Sequence, residues 1–269
     1  MKIGVSILFS YFRDIIIVLK EGFSLRQSPL FSNIQTGEVV YDNVDQATYK
    51  GITIKTFILL AITTIVAAVM AFALPTILLN NPGVYLTTLV ISSIVGFISV
   101  IVGRTSERKA KYASAIYAIC EGLFLGSLSA IAEAYVPGAV TTAIFTTLIL
   151  FTIMLVLFGT GVMKVGSKLR TICLGLTLGA IGIMLIMSIF SLFITDYTTY
   201  LSIMIGVEIF LLFYGVITLS LNFAEAKSVV ERGASKDAEW SVSLGLLVSI
   251  IYIYVEALRL IILFARRND

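Results

Sequence analysis

Seven stretches of mostly apolar residues dominate this chain, at roughly 56–79, 84–103, 112–134, 139–163, 171–194, 199–223 and 242–265. Each has the length of a helix that crosses a bilayer, about 20 residues. The first, second, fourth and fifth contain no charged residue. The third holds Glu121, with Glu133 at its far end, the sixth Glu208, and the seventh Glu256 with Arg259. A soluble domain uses about 25% charged residues to coat its surface; here 13% of 269 residues are charged and 58% are hydrophobic. The expected fold is therefore an all-α polytopic membrane protein, a seven-transmembrane-helix bundle in the lipid bilayer. Residues 55–267 form the membrane domain, and residues 1–54 an N-terminal cytoplasmic or interfacial segment.

The connections are short. Pro75 is expected to bend or end the first span, and Asn80-Asn81-Pro82-Gly83 turns the chain into the second. Pro137-Gly138 separates the third from the fourth. No internal repeat is visible, which argues against an inverted-repeat transporter. Orientation follows from the basic residues. They precede span one and fill the loops between spans two and three, four and five, and six and seven. The loops after spans one, three and five have none. The N-terminus is thus expected in the cytoplasm, at the cell membrane, and the C-terminus outside, although Arg266 and Arg267 dissent.

The opening stretch is apolar but broken by Arg13-Asp14, and Ile15-Ile16-Ile17-Val18-Leu19 is too short to span. Two readings of residues 1–24 stand open. One is a helix lying on the membrane. The other is an upstream start, the natural chain beginning near Leu25.

Several function classes drop out. A net charge of +3 gives no basic footprint for nucleic acid. The chain has no histidine, so the usual general base and the commonest transition-metal ligand are missing. There is no Walker loop, no HExxH and no GxSxG, and an intramembrane aspartyl protease would want two membrane aspartates. No enzyme activity and no cofactor are expected. Cys120 and Cys173 sit in apolar runs and read as small core residues. Gly175-x-x-x-Gly179 reads as helix packing.

Membrane-embedded charges are the remaining signal. A carboxylate near the bilayer centre costs about 2.5–3.5 kcal/mol or more, so it tends to face a cavity or a partner. Glu256 lies roughly 15 Å before Arg266-Arg267 at 1.5 Å per residue, near the midplane. Glu121 is close to the middle of the third span. Two carboxylates a few ångströms apart share a proton rather than ionise together. Such a pair takes a cation when deprotonated and releases it when protonated, and hard cations such as calcium prefer oxygen ligands. Each residue also has a plainer role. Glu256 and Arg259, at i and i+3, can neutralise each other. Glu121 opens Glu121-Gly122-Leu123-Phe124-Leu125-Gly126, where GxxxG spacing lets a helix approach closely, and can hydrogen-bond across that contact. Glu208 is the weakest candidate, read as a lone protonated acid bonded to a nearby Ser or Tyr. Glu133 and Asp196 give the outer face acidic residues and no basic ones. Glu225, Glu231, Asp237 and Glu239 read as part of a solvated loop between spans six and seven.

Taken in order, several blocks resemble a bacterial member of the Bax inhibitor-1/YccA-like family, the transmembrane Bax-inhibitor-motif proteins, over roughly residues 28–267. They are Ser28-Pro29-Leu30-Phe31; Ala47-Thr48-Tyr49-Lys50-Gly51 with Lys55-Thr56; and Tyr112-Ala113-Ser114-Ala115-Ile116-Tyr117-Ala118 running into Glu121-Gly122-Leu123-Phe124-Leu125-Gly126-Ser127. Gly233-Ala234-Ser235-Lys236 with Trp240, Gly245-Leu246-Leu247-Val248 and Tyr254-Val255-Glu256-Ala257-Leu258-Arg259-Leu260 follow. The resemblance implies a seven-helix fold with the last helix central. It also implies a pH-sensitive calcium leak built on two acidic residues of the last two helices. Glu256 matches the last-helix position. The partner position falls on Asn222, an amide that can ligate a cation but cannot share a proton; Glu225 or Glu121 could substitute.

The expected function is a pH-sensitive calcium or cation leak channel, with Glu256 as the residue that meets calcium and Asn222, Glu225, Glu121 and Arg259 around it. The alternative is a non-conducting membrane regulator that binds a membrane protease or another membrane protein. A proton-coupled transporter of a small solute stands third.

Overall fold

Apolar runs this long in hydrocarbon must satisfy every backbone polar group internally, and helices do so. The computed structural model describes residues 46–80, 82–160, 167–190 and 197–268. Its helices are α1 (Tyr49–Asn80), α2 (Pro82–Thr105), α3 (Glu107–Tyr135), α4 (Ala139–Gly159), α5 (Ser167–Phe190), α6 (Tyr197–Glu231) and α7 (Ala238–Asn268). Six are long and apolar enough to cross a membrane, and α5 carries a shorter apolar run, Thr171–Met187. Among the described residues the only pairing outside helices is a single antiparallel bridge, Gln46 with Ser235. The expectations for residues 1–45, and Asp196, lie outside the described residues.

Local chemistry sets the ends. Pro82 opens α2, where a missing N–H costs nothing. The α6 terminus is a Schellman motif. Gly233 has φ +61°, its N–H bonds to Val230 O, and the N–H of Ala234 bonds to Val229 O. Gly138 turns at φ +85°. Glu133 accepts hydrogen bonds there from the N–H groups of Gly138 (2.7 Å) and Val140 (3.1 Å). Glu133, read from the sequence as an acidic residue of the outer face, is thus engaged as the cap of α4. Pro75 does not end the first span: α1 runs on to Asn80.

Buried hydroxyls are satisfied mostly by their own helix. Thr56, Thr63, Ser114, Thr147, Thr177 and Thr218 each donate to the carbonyl four residues back. This back-bonding lets a span carry serine and threonine without exposing a polar group to lipid. The apolar side chains on the outside, such as Phe57, Ile65 and Phe72 on α1 and Phe145 and Ile149 on α4, have the lipid tails for solvent. Of the six longest apolar helices, α7 is the most buried and α4 the least.

By internal contacts the chain forms two compact units. One comprises the described parts of Ala132–Leu221 and Val248–Asp269; the other comprises the described part of Phe23–Ile131 with Asn222–Leu247. In the second, α1 and α3 meet at the GxxxG pair. A Cβ on Gly122 would fall 2.8 Å from Thr63 O and 2.7 Å from Val66 Cβ, and one on Gly126 would fall 2.2 Å from Ala67 O. The backbones therefore touch, and only glycine fits. Among the described residues nothing lies within 4 Å of a Cβ built on Gly175 or Gly179 of α5, so no described neighbour uses their spacing for close approach.

Gly126→Val is expected to destabilise the protein by about 3 kcal/mol, the upper part of the overpacking range, because backbone rather than a flexible side chain stands in the way. Gly175→Ala should stay within about 0.5 kcal/mol of wild type. Thermal unfolding of the two variants in detergent micelles checks both.

Candidate functional site

On α7, Tyr252, Glu256 and Arg259 follow one another at four and three residues and so share a face. Across from them on α6 is Glu208. Arg259 Nη1 lies 3.6 Å from Glu208 Oε1 and 3.6 Å from Glu256 Oε2. The two carboxylate oxygens are therefore no further apart than twice that distance. The side chains are 2%, 0% and 12% exposed for Glu208, Glu256 and Arg259. This is an ionic cluster inside the unit, with one guanidinium between two carboxylates.

The surrounding side chains hold α6 and α7 in register. The Tyr214 and Tyr252 rings meet edge to face with centroids 5.8 Å apart. A Cβ on Gly215 would fall 2.6 Å from Tyr252 Cδ1, so the glycine makes the room that this ring occupies. Tyr214 Oη is hydrogen-bonded to Thr177 Oγ1 at 2.9 Å, and Cys173 Sγ lies 3.8 Å from Thr218 Oγ1. Together they tie α5 to α6. Tyr252 and Cys173 are core residues, as their apolar settings suggest.

A second cluster sits in the other unit. Arg104, at the end of α2, donates to Glu225 Oε2 at 2.6 Å and to Ser241 O at 2.9 Å. Asn222 donates to Gly245 O at 3.2 Å. A Cβ on Gly245 would stand 2.9 Å from Arg104 Nη1 and 3.0 Å from Asn222 Oδ1. The glycine lets the guanidinium and the amide close on the α7 backbone. Here one cation meets one anion.

The predicted residues thus divide. Glu256 and Arg259 come together as expected from their spacing. Asn222 and Glu225 share the Arg104 cluster. Glu121 is buried in α3, next to the glycine that packs on α1. Glu208 joins the Glu256 cluster through Arg259, whereas the sequence suggested a lone acid bonded to a hydroxyl. On α6 itself, Glu208 and Glu225 are about 25 Å apart along the axis, so no one site uses both. Arg104 was not singled out from the sequence, because a basic residue at a span end reads as ordinary positive-inside sorting. Glu225 and Glu239 are not solvated loop residues: both are buried. Glu231, which is solvated, pairs with Lys227 at 3.7 Å.

Among the described residues no three acidic or sulfur side chains come together as a metal cage. Calcium takes 6–8 oxygen ligands. The Glu208–Arg259–Glu256 cluster offers two carboxylates with a positive charge between them. That arrangement suits a mobile ion or a proton better than a resident metal.

Removing one member of a buried ionic cluster costs about 3–5 kcal/mol, because the partners are left uncompensated. Arg259→Met is therefore expected to destabilise by that amount. The triple variant Glu208→Gln, Arg259→Met, Glu256→Gln should recover most of the loss. Denaturation of the single and triple variants decides it; equal instability would mean that the three charges do not interact.

The family model described as Bax inhibitor 1 like matches residues 28–266. Comparison with curated proteins gave no match, and neither did comparison with solved structures. The match takes in the Glu208–Arg259–Glu256 cluster, the Arg104–Glu225 pair and the glycine contacts of α1 with α3. With nearly the whole chain covered, this multi-helix membrane protein belongs to the Bax inhibitor 1-like family.

Proposed function

We propose that the protein is a passive, proton-sensitive leak for calcium or another cation across the cell membrane, with its N-terminus in the cytoplasm. It is not an enzyme. The observation that carries this is that one buried guanidinium, Arg259, meets carboxyls from two helices, Glu208 and Glu256. Carboxyls set this close together can take up a proton or a passing cation. The two compete for the same carboxylates, so protonation weakens the attraction for a metal cation. Glu256 and Glu208 supply the oxygens, and Arg259 keeps the pair from holding a dication tightly. Weak binding is what conduction needs, since an ion has to leave as well as enter.

The test is calcium entry into liposomes carrying the purified protein between pH 6 and pH 8. Wild type should leak with a rate that falls several-fold as the pH drops. Glu256→Gln and Glu208→Gln should each flatten that dependence, since with one amide and one guanidinium the remaining carboxylate is already neutralised. A folded wild-type protein with no leak at any pH would overturn the proposal. The non-conducting regulator, recognised by crosslinking to a membrane protease or another membrane protein, would then take its place.

A further inference from the structure

The start of α1 is held by residues that arrive almost 200 positions later. Thr48 caps the helix, its Oγ1 accepting from Gly51 N at 2.9 Å. The first turn of α1 has no acidic residue of its own, although an anion there is stabilising. Glu239, in the first turn of α7, supplies it. Its Oε1 accepts from Thr48 N at 2.8 Å and from Thr48 Oγ1 at 3.2 Å. Its Oε2 pairs with Lys55 Nζ at 2.7 Å. Lys55 also donates to Lys236 O at 3.0 Å and stands 5.0 Å from the centroid of the Trp240 ring. A Cβ on Gly51 would fall 2.2 Å from both Glu239 oxygens, so the carboxylate lies where any other residue would put its side chain.

Further ties run to the same place. Ala47 N donates to Ala234 O at 2.8 Å. Gln46 bridges Ser235, and Ser243 Oγ donates to Ile52 O at 3.0 Å. Every long-range polar contact described here for residues 46–55 ends on residues 234–243. A cap alone needs one oxygen, and a local serine or aspartate would give it. This arrangement instead joins two helix starts through an ion pair whose lysine is 14% exposed. Water reaches it, so it can open and re-form.

We propose that the Glu239–Lys55 clasp is a latch that holds the starts of α1 and α7 together. When it opens, both are released at once. On the leak proposed above, on which this second part rests, the closed latch restrains flux and its opening raises it. The connection is α7, one uninterrupted helix that carries Glu239 at its start and Glu256 and Arg259 further along.

Backbone hydrogen exchange in lipid nanodiscs tests the latch directly. Glu239→Gln, and the milder Lys55→Met, should speed exchange at least tenfold in both Ile52–Thr56 and Val242–Leu247, leaving α4 unchanged. A rise confined to α1 would overturn the latch, since it would mark the loss of a cap alone. A uniform rise over all helices would overturn it too, as general destabilisation. Gln46→Cys with Ser235→Cys, in a background where Cys120 and Cys173 are alanine, gives the opposite control. Oxidation should slow exchange in both segments and a reductant should restore it. In liposomes, Glu239→Gln should raise calcium entry several-fold, and the oxidised pair should lower it. Wild-type leak that ignores both would overturn the regulatory part. A wild type that does not leak would remove the leak itself, and exchange would still decide the latch.

Discussion

A charge buried among apolar helices has to be neutralised by a group it can reach, and usually that group lies on another helix. Within each unit this requirement ties α7 to its neighbours. Near its start, Glu239 is met by Lys55 of α1, and the carbonyl of Ser241 accepts from Arg104 of α2. Further along, Arg259 is met by Glu208 of α6. Hydrophobic burial gives no direction in a bilayer, because lipid tails are as apolar as leucine. Ionic contacts do give direction: each works at one register only. A one-residue slip of α7 would turn its charges by about 100° and carry them off their partners.

Glycine makes those contacts possible. Gly51 faces the Glu239 carboxylate, Gly245 faces Arg104 and Asn222, and Gly215 faces Tyr252. In each case a Cβ would occupy the place of the polar or aromatic group. The small residues of this family member are therefore of two kinds. Gly122 and Gly126 bring backbones together, as GxxxG spacing implies. The other three bring a side chain onto a backbone, and no spacing rule announces them.

The spans are legible in the sequence because hydropathy and length are local properties. Their ends are less so. The apolar run suggests a first span from about residue 56, yet α1 begins at Tyr49. The sixth extends past 223 to Glu231, and the last begins at Ala238 rather than near 242. A helix continues beyond the hydrocarbon wherever its polar turns find partners, and Glu225 and Glu239 do. These two looked like loop residues because counting charges in a loop says nothing about which of them face a helix end. Glu256 with Arg259 was visible from i, i+3 spacing. Glu208 was not, because its partner depends on how α6 lies against α7, and no pattern within either helix encodes that.

Among the described residues, three ion-paired groups that join helices differ in their make-up. Lys55 with Glu239 is one cation with one anion, and so is Arg104 with Glu225. Neither pair gains from a further ion, and each is suited to joining helices. The Glu208–Arg259–Glu256 cluster sets two carboxyl groups on one guanidinium. Among the described ion pairs it is the place where one guanidinium meets carboxyls from two different helices. On the function proposed above, this meeting of two carboxyls on one guanidinium is the reason to look for ion movement at α6 and α7 rather than at the other charged contacts.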